Sequence, residues 1–146
     1  MSVSTFCRVL VFGGRDYIDA AHVFGALDAL DTRRRIDVIV HGACGLCSCL
    51  HKDCRFNEQT GADELAEQWA WARSRHIDPH PANWHPGRDL AVDRSAGPRR
   101  NAAMVRSGIA VAVRFPGGKG SEDMARRCRD HSIRLWAPPT SFRRTA

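Results

Sequence analysis

Four of the six cysteines crowd into one short segment, as Cys44, Cys47, Cys49 and Cys54, with His51 and Asp53 among them. Thiolates are soft ligands, and the spacing C-x2-C-x-C-x4-C supplies enough of them for a tetrahedral Zn²⁺ with Zn–S distances of about 2.3 Å. A metal would also order a segment that has little apolar content to bury. Zinc is preferred here over an iron–sulfur cluster. The C-x-C pair is tighter than a finger knuckle, however, and a standard finger places its second knuckle farther away. A disulfide or redox-responsive loop and a disordered loop with incidental thiols therefore stay open beside the metal reading.

Two glycine clusters carry a different chemistry. Gly13-Gly14-Arg15-Asp16 and Pro116-Gly117-Gly118-Lys119-Gly120-Ser121 each follow a short apolar run. Glycine lets backbone N–H groups approach a phosphate with no Cβ in the way, and a following helix N-terminus adds partial positive charge. Arg15 and Lys119 add full charges. Strand-to-helix turns also use glycine for structural reasons alone, so either cluster by itself says little. A third anion-binding element is Gly97-Pro98-Arg99-Arg100-Asn101, a proline-marked helix start whose guanidiniums can grip phosphate. Its bland alternative is a basic helix start facing water.

The surrounding elements decide whether these residues meet. Cys7–Phe12, Ile36–Val40, Ile77–Pro81, Ile109–Phe115 and Ile133–Trp136 read as strands. Between them lie helical stretches: one capped by Asp19, with Val23, Phe24, Leu27 and Leu30 at helical spacing, and one opened by Thr60, with Asp63 in a capping-box position. The third is opened by Gly97-Pro98, and the fourth spans residues 121–131. Segment 43–60 has neither period and reads as a projecting loop. Residues 82–96 form a long polar loop. The resulting βαβαβαβαβ order, with continuous apolar strands, predicts a Rossmann-like three-layer α/β/α sandwich with a five-stranded, mostly parallel sheet in the order 3-2-1-4-5. In that order the winding reverses between strands 1 and 4, and the two glycine clusters leave those strands.

The chain has 146 residues, 43% hydrophobic and 26% charged, which suits one globular domain over 1–146 with a Cys-rich insertion at 43–60. No apolar stretch can span a bilayer, and the N-terminal residues lack the basic and apolar regions of an export signal, so a cytoplasmic location and no membrane partner are expected. The net charge of +6 favours anionic partners without choosing between nucleotide and nucleic acid. The basic residues are scattered, except at Arg33-Arg34-Arg35 and Arg143-Arg144, which read as a helix end and a solvated tail. Cys7 and Cys128 read as small buried hydrophobes. Trp69 and Trp136 read as packing residues; Trp84 suits either packing or stacking on a base. His76, His80 and His85 show no helical or knuckle spacing that converges on a metal and read as surface or loop residues.

Several short motifs, taken together, resemble the YspA branch of the SLOG superfamily, the Rossmann-like group that also includes the LOG phosphoribohydrolases and DprA. They are Val9-Leu-Val-Phe-Gly-Gly-Arg-Asp16, His41-Gly42, Gly61-Ala62-Asp63, Pro81-Ala-Asn-Trp84, Gly97-Pro98 with Arg100-Asn101, and Pro116-Gly-Gly-Lys-Gly-Ser-Glu-Asp-Met124. The resemblance runs from about Cys7 to Pro138. It implies a nucleotide or nucleotide-derived ligand, such as ADP-ribose or a nucleoside phosphate, bound by a sensor or accessory domain. The ligand residues it implies are those of the two glycine loops with Gly42, Asp63, Arg100 and Asn101. LOG enzymes carry a catalytic glutamate at the ninth position of the motif PGGxGTxxE, and here that position is Met124. A thioether moves no proton, so N-glycosidic cleavage loses its best-placed carboxylate. Glu122 and Asp123 lie nearby but point from other helical faces, and Asp16 and Asp63 are equally explained by turn or capping roles. No catalytic residue is named.

The cysteine segment is the chain's main departure from that pattern. It follows strand 2, so it is expected to overhang the ligand crevice as a structural lid. The rivals to nucleotide sensing are a LOG-related N-glycosidase or phosphohydrolase and a DprA-like binder of single-stranded nucleic acid, for which positive charge is the sole support. A homodimer is compatible with such folds, but no residue points to one.

Overall fold

A computed structural model describes residues 6–143. Arg144 and residues 1–5, part of the segment read for an export signal, lie outside the described residues. The strands are β1 (Arg8–Phe12), β2 (Val38–His41), β3 (His76–Pro79), β4 (Val111–Arg114) and β5 (Leu135–Trp136). The helices are α1 (Ala20–Arg33), α2 (Gly61–Ala72), α3 (Ala96–Val105) and α4 (Lys119–Asp130). The five strands form one sheet in the order β3-β2-β1-β4-β5, and every pair is parallel. This is the expected doubly wound order. No helix among the described residues is long and apolar enough to cross a membrane.

Alternation along β1 divides the core. Val9 and Val11 face one side of the sheet, where they join Val23, Leu27, Trp69 and Phe115 beneath α1 and α2. Leu10 and Phe12 face the other, with Met104, Met124 and Cys128 beneath α3 and α4. Side chains point to opposite faces at period 2, so a strand covered on both sides must be apolar throughout. Each such residue, fully buried, contributes roughly 1.5–3 kcal/mol. Trp69 packs as expected, and its indole N–H donates to Asp28 at 2.9 Å. Cys7 and Cys128 are buried, also as expected.

Three local expectations need correction. β2 begins at Val38, two residues later than expected, because side chains divert the preceding backbone: the Ile36 N–H donates to Asp31 and the Asp37 carboxylate accepts the Cys7 N–H. Similarly, Ile133 closes the end of α4 through a bond to Cys128 O, so β5 is confined to Leu135–Trp136. The capping box at Thr60 does not form. Thr60 makes no side-chain cap, and Asp63 turns inward to accept the Cys44 N–H at 3.0 Å. The Asp19 cap does form, accepting the His22 N–H at 3.0 Å.

Candidate functional site

Because β1 and β4 are neighbours, the glycine loops that leave them begin side by side on one rim of the sheet. They are joined directly, since the Gly14 N–H donates to Pro116 O at 2.7 Å. The Gly14 carbonyl in turn accepts the N–H groups of Tyr17 and Ala62, both at 3.2 Å. The second of these bonds docks α2 on the β1 loop and requires glycine at 61. Its φ is +76°, and a Cβ there would lie 2.3 Å from Gly14 O. Gly14, Pro116 and Gly117 thus bind the loops to each other and do not line the space beside them.

That space is a crevice of 620 Å³. The β1 side contributes Gly13, Arg15 and Asp16, and the β4 side Gly118, Lys119, Gly120 and Ser121. Gly42, Ala43, Cys44 and Asp63 come from the β2 end, and Arg100, Asn101 and Met104 from α3. The α4 N-terminus opens onto it. The first intrahelical bond runs from the Glu122 N–H to Gly118 O at 3.0 Å, so the N–H groups of Lys119, Gly120 and Ser121 precede the ladder and have no intrahelical acceptor. No side chain caps this end, and a side chain added at Gly118 or Gly120 would meet open space. Arg15 and Lys119 are exposed, and neither is ion-paired among the described residues.

Deeper in the crevice the polar groups are already engaged. The Arg100 guanidinium lies against Gly42 and donates to the carbonyls of Gly42 and His80, while its Nε donates to Asn101 at 2.9 Å. Burial pulls its affinity for a proton down, against the opposing pull of Asp63. Arg99 points away and pairs with Asp93, so one guanidinium of the α3 start reaches the crevice, not two. Burial pushes the Asp63 carboxyl up, while His41 and the Cys44 N–H favour its charged form. Asn101 ties α3 to α4 by donating to Asp123 at 3.1 Å. Asp123 does border the crevice, contrary to the helical-face expectation, but its oxygens are held by Asn101, Arg126 and Arg127. Met124 is buried and lines the crevice, to which it offers a thioether and no carboxylate.

His41, not assigned a role from sequence, organises the β2 end. Its Nδ1 accepts the Ala43 N–H at 2.9 Å, which places the ring proton on Nε2, 3.1 Å from Glu67. Ala43 holds a positive φ of 51° in this turn. An apolar strand end followed by glycine is the signal that marks the turn, but nothing in the spacing identifies Glu67 as the partner.

The cysteine segment borders the crevice through Cys44, Gly45, Leu46 and Phe56. Phe56 stacks on Trp84, with ring centroids 5.8 Å apart, and both rings line the crevice. Phe56 is the lone aromatic of residues 43–60, which is the signal that could have singled it out. Cys47, Cys49 and Cys54 bring their sulfurs within 4.8 Å of one another, an arrangement that can hold a metal ion. Cys44 stands apart from this group and lines the crevice, where burial and then Asp63 push its thiol up. All six cysteines are free. Burial raises the Cys47 thiol, but the N–H groups of Cys49 and Trp84 directed at its sulfur outweigh that and hold it below the usual value. Cys49 beside it is pushed up to about 11, by burial and by the adjoining sulfurs of Cys47 and Cys54.

No family model matches the chain. It is 30% identical over 141 residues to the Gene 61 protein of Mycobacterium phage D29, an alignment that covers 92% of this chain and 95% of that protein. Identity of this extent over nearly both full lengths shows the family, and the chain belongs to that of the phage D29 Gene 61 protein.

Proposed function

We propose that the chain binds a phosphate-bearing nucleotide or nucleotide derivative, such as ADP-ribose or a nucleoside phosphate, and serves as a sensor or accessory domain. The observation that carries this reading is the convergence of Arg15, Lys119 and the uncapped α4 N-terminus on one crevice at the reversal point of a parallel sheet. The phosphate sits against the N–H groups of Lys119, Gly120 and Ser121, with Arg15 and Lys119 neutralising its charge. The base lies toward Trp84 and Phe56, whose ring faces suit stacking. The resemblance to the SLOG superfamily supports the same ligand class. Zinc is the ion we propose for the thiol trio, since three sulfurs suit a soft tetrahedral ion. No catalytic residue forms part of the proposal, because Met124 offers the crevice no carboxylate and the Asp123 oxygens are taken.

A thermal-shift screen over nucleoside mono-, di- and triphosphates, nicotinamide dinucleotides and ADP-ribose tests the reading. Stabilisation follows RT ln(1 + [L]/Kd) and reaches about 2.7 kcal/mol at a hundredfold excess over Kd. Silence across the panel, combined with steeply salt-dependent binding of single-stranded DNA, would replace the nucleotide reading with the nucleic-acid one.

A further inference from the structure

Three features surround the thiol trio. The Cys47 sulfur accepts the N–H groups of Trp84 at 3.2 Å and Cys49 at 3.4 Å. Backbone donors aimed at a sulfur are what a metal-bound thiolate, which stays negative, can use. Next, the segment has little apolar core of its own and is otherwise held by isolated bonds, among them Ser48 N–H to Ala82 O at 3.1 Å and His51 Nε2 to Gly87 O at 2.9 Å. Leu50 is 99% exposed, and the segment's single bridge pairs Leu46 with Asn57. Finally, the ring of His85 packs beside the segment, with centroids 5.5 Å from Phe56 and 6.2 Å from His51.

His85 is 4% exposed, and its Nε2 is buried with no partner among the described residues. An unpartnered buried polar atom of this kind is costly and calls for an explanation. Its other ring nitrogen, Nδ1, faces the carbonyl of Ala91 at 3.4 Å. A carbonyl can only accept, so this contact puts the proton on Nδ1 and leaves a lone pair on Nε2. That is the tautomer a metal-ligating histidine adopts when a backbone carbonyl orients it.

We propose that His85 is the fourth ligand of the metal, completing a Cys47, Cys49, Cys54, His85 site in which Cys44 has no part. This rests on the metal reading of the trio. Three thiols lose their protons on binding and the neutral imidazole loses none. His85 lies outside the set of atoms within 4.8 Å, so ligation draws its ring toward the sulfurs. The ion would then staple the cysteine segment to the loop after β3. Phe56 and Trp84 lie between these ligands in sequence and line the crevice, so metal occupancy sets the position of the aromatic wall. Trp84 rests in turn on Gly97, where a Cβ would lie 3.0 Å from the indole edge.

Zinc-edge X-ray absorption on the full chain, loaded with one equivalent of Zn²⁺, tests this without any substitution. The expected spectrum contains three sulfurs and one imidazole. Competition titrations on His85→Gln should show zinc binding weakened by more than about 100-fold, above the 10–100-fold cost of losing an outer-shell partner. His51→Ala and Cys44→Ser should bind zinc as the parent chain does, and circular dichroism checks that each variant is folded. Four sulfurs, a spectrum without imidazole, or unchanged affinity in folded His85→Gln overturns the assignment of His85 and leaves the trio standing. Failure of the parent chain to bind zinc overturns both.

Discussion

The glycine-loop rim and the cysteine segment border the same crevice yet are held in opposite ways. The rim is tied by backbone bonds that converge on Gly14 and rests on the fully buried Phe115 and Val113. The cysteine segment buries little, keeps its thiols free and leans on the rest of the fold through a few contacts to the loop after β3. The phosphate cradle proposed for the rim would have to be in place before its ligand arrives, and close packing under the rim would supply that. A wall with so little core of its own depends on whatever joins its polar groups, and the proposed metal fills that role.

The comparison breaks most readily at the rim. Phe115→Ala removes a ring packed on Tyr17 and His22 and should cost about 3–5 kcal/mol in urea denaturation. Leu50→Ser in the cysteine segment should change stability by less than about 0.5 kcal/mol. A Leu50 effect as large as that of Phe115 would erase the distinction. Gly61→Ala should cost about 1–3 kcal/mol from its positive φ alone, with the overlap onto Gly14 O adding to it. That loss should register as a lower thermal midpoint.

Chelation sharpens the contrast from the other side. Removing the proposed zinc with a strong chelator should speed proteolytic cleavage within residues 44–58 and leave the far-ultraviolet circular dichroism of the sheet and helices intact. Loss of both together would mean that the two regions do not separate. A smaller effect than at Phe115 or Gly61 concerns Asp123, which links α4 to α3. Burial pushes its carboxyl up, but bonds from Arg127 and Asn101 prevail and hold it below the usual value. A depressed folded-state pKa gives stability that is present above the unfolded value of about 3.9 and is lost as pH falls through the folded value. Asp123→Asn should therefore be less stable than the parent at pH 7, by up to about 1 kcal/mol. The difference should vanish in acid below the folded pKa.

Legibility from sequence follows the same divide. Apolar runs such as Val9–Phe12 and Ile109–Phe115 reveal strands buried on both faces, and with the glycine turns they give the parallel sheet and its order. Strand ends were less legible because side chains such as Asp31 and Asp37 intercept backbone groups, an effect that local periodicity does not carry. In the site, Arg15 and Lys119 fall where their loops predict, whereas Gly14 and Gly117 serve the junction between those loops. Cysteine spacing alone made four equivalent thiols of Cys44, Cys47, Cys49 and Cys54. Folding separates Cys44, whose N–H is held by Asp63, from the other three. His85 had no motif to announce it, since its relation to the trio arises from two loops that pack together only in three dimensions.

Calorimetric titration of ADP-ribose into the parent chain and into an Arg15→Ala, Lys119→Ala double variant bears most directly on the crevice. Saturable one-to-one binding should appear with the parent, and affinity should fall by at least about tenfold in the variant, about 1.4 kcal/mol. No heat with the parent would remove ADP-ribose as the ligand, and equal affinity in the two proteins would contradict a phosphate site between the β1 and β4 loops.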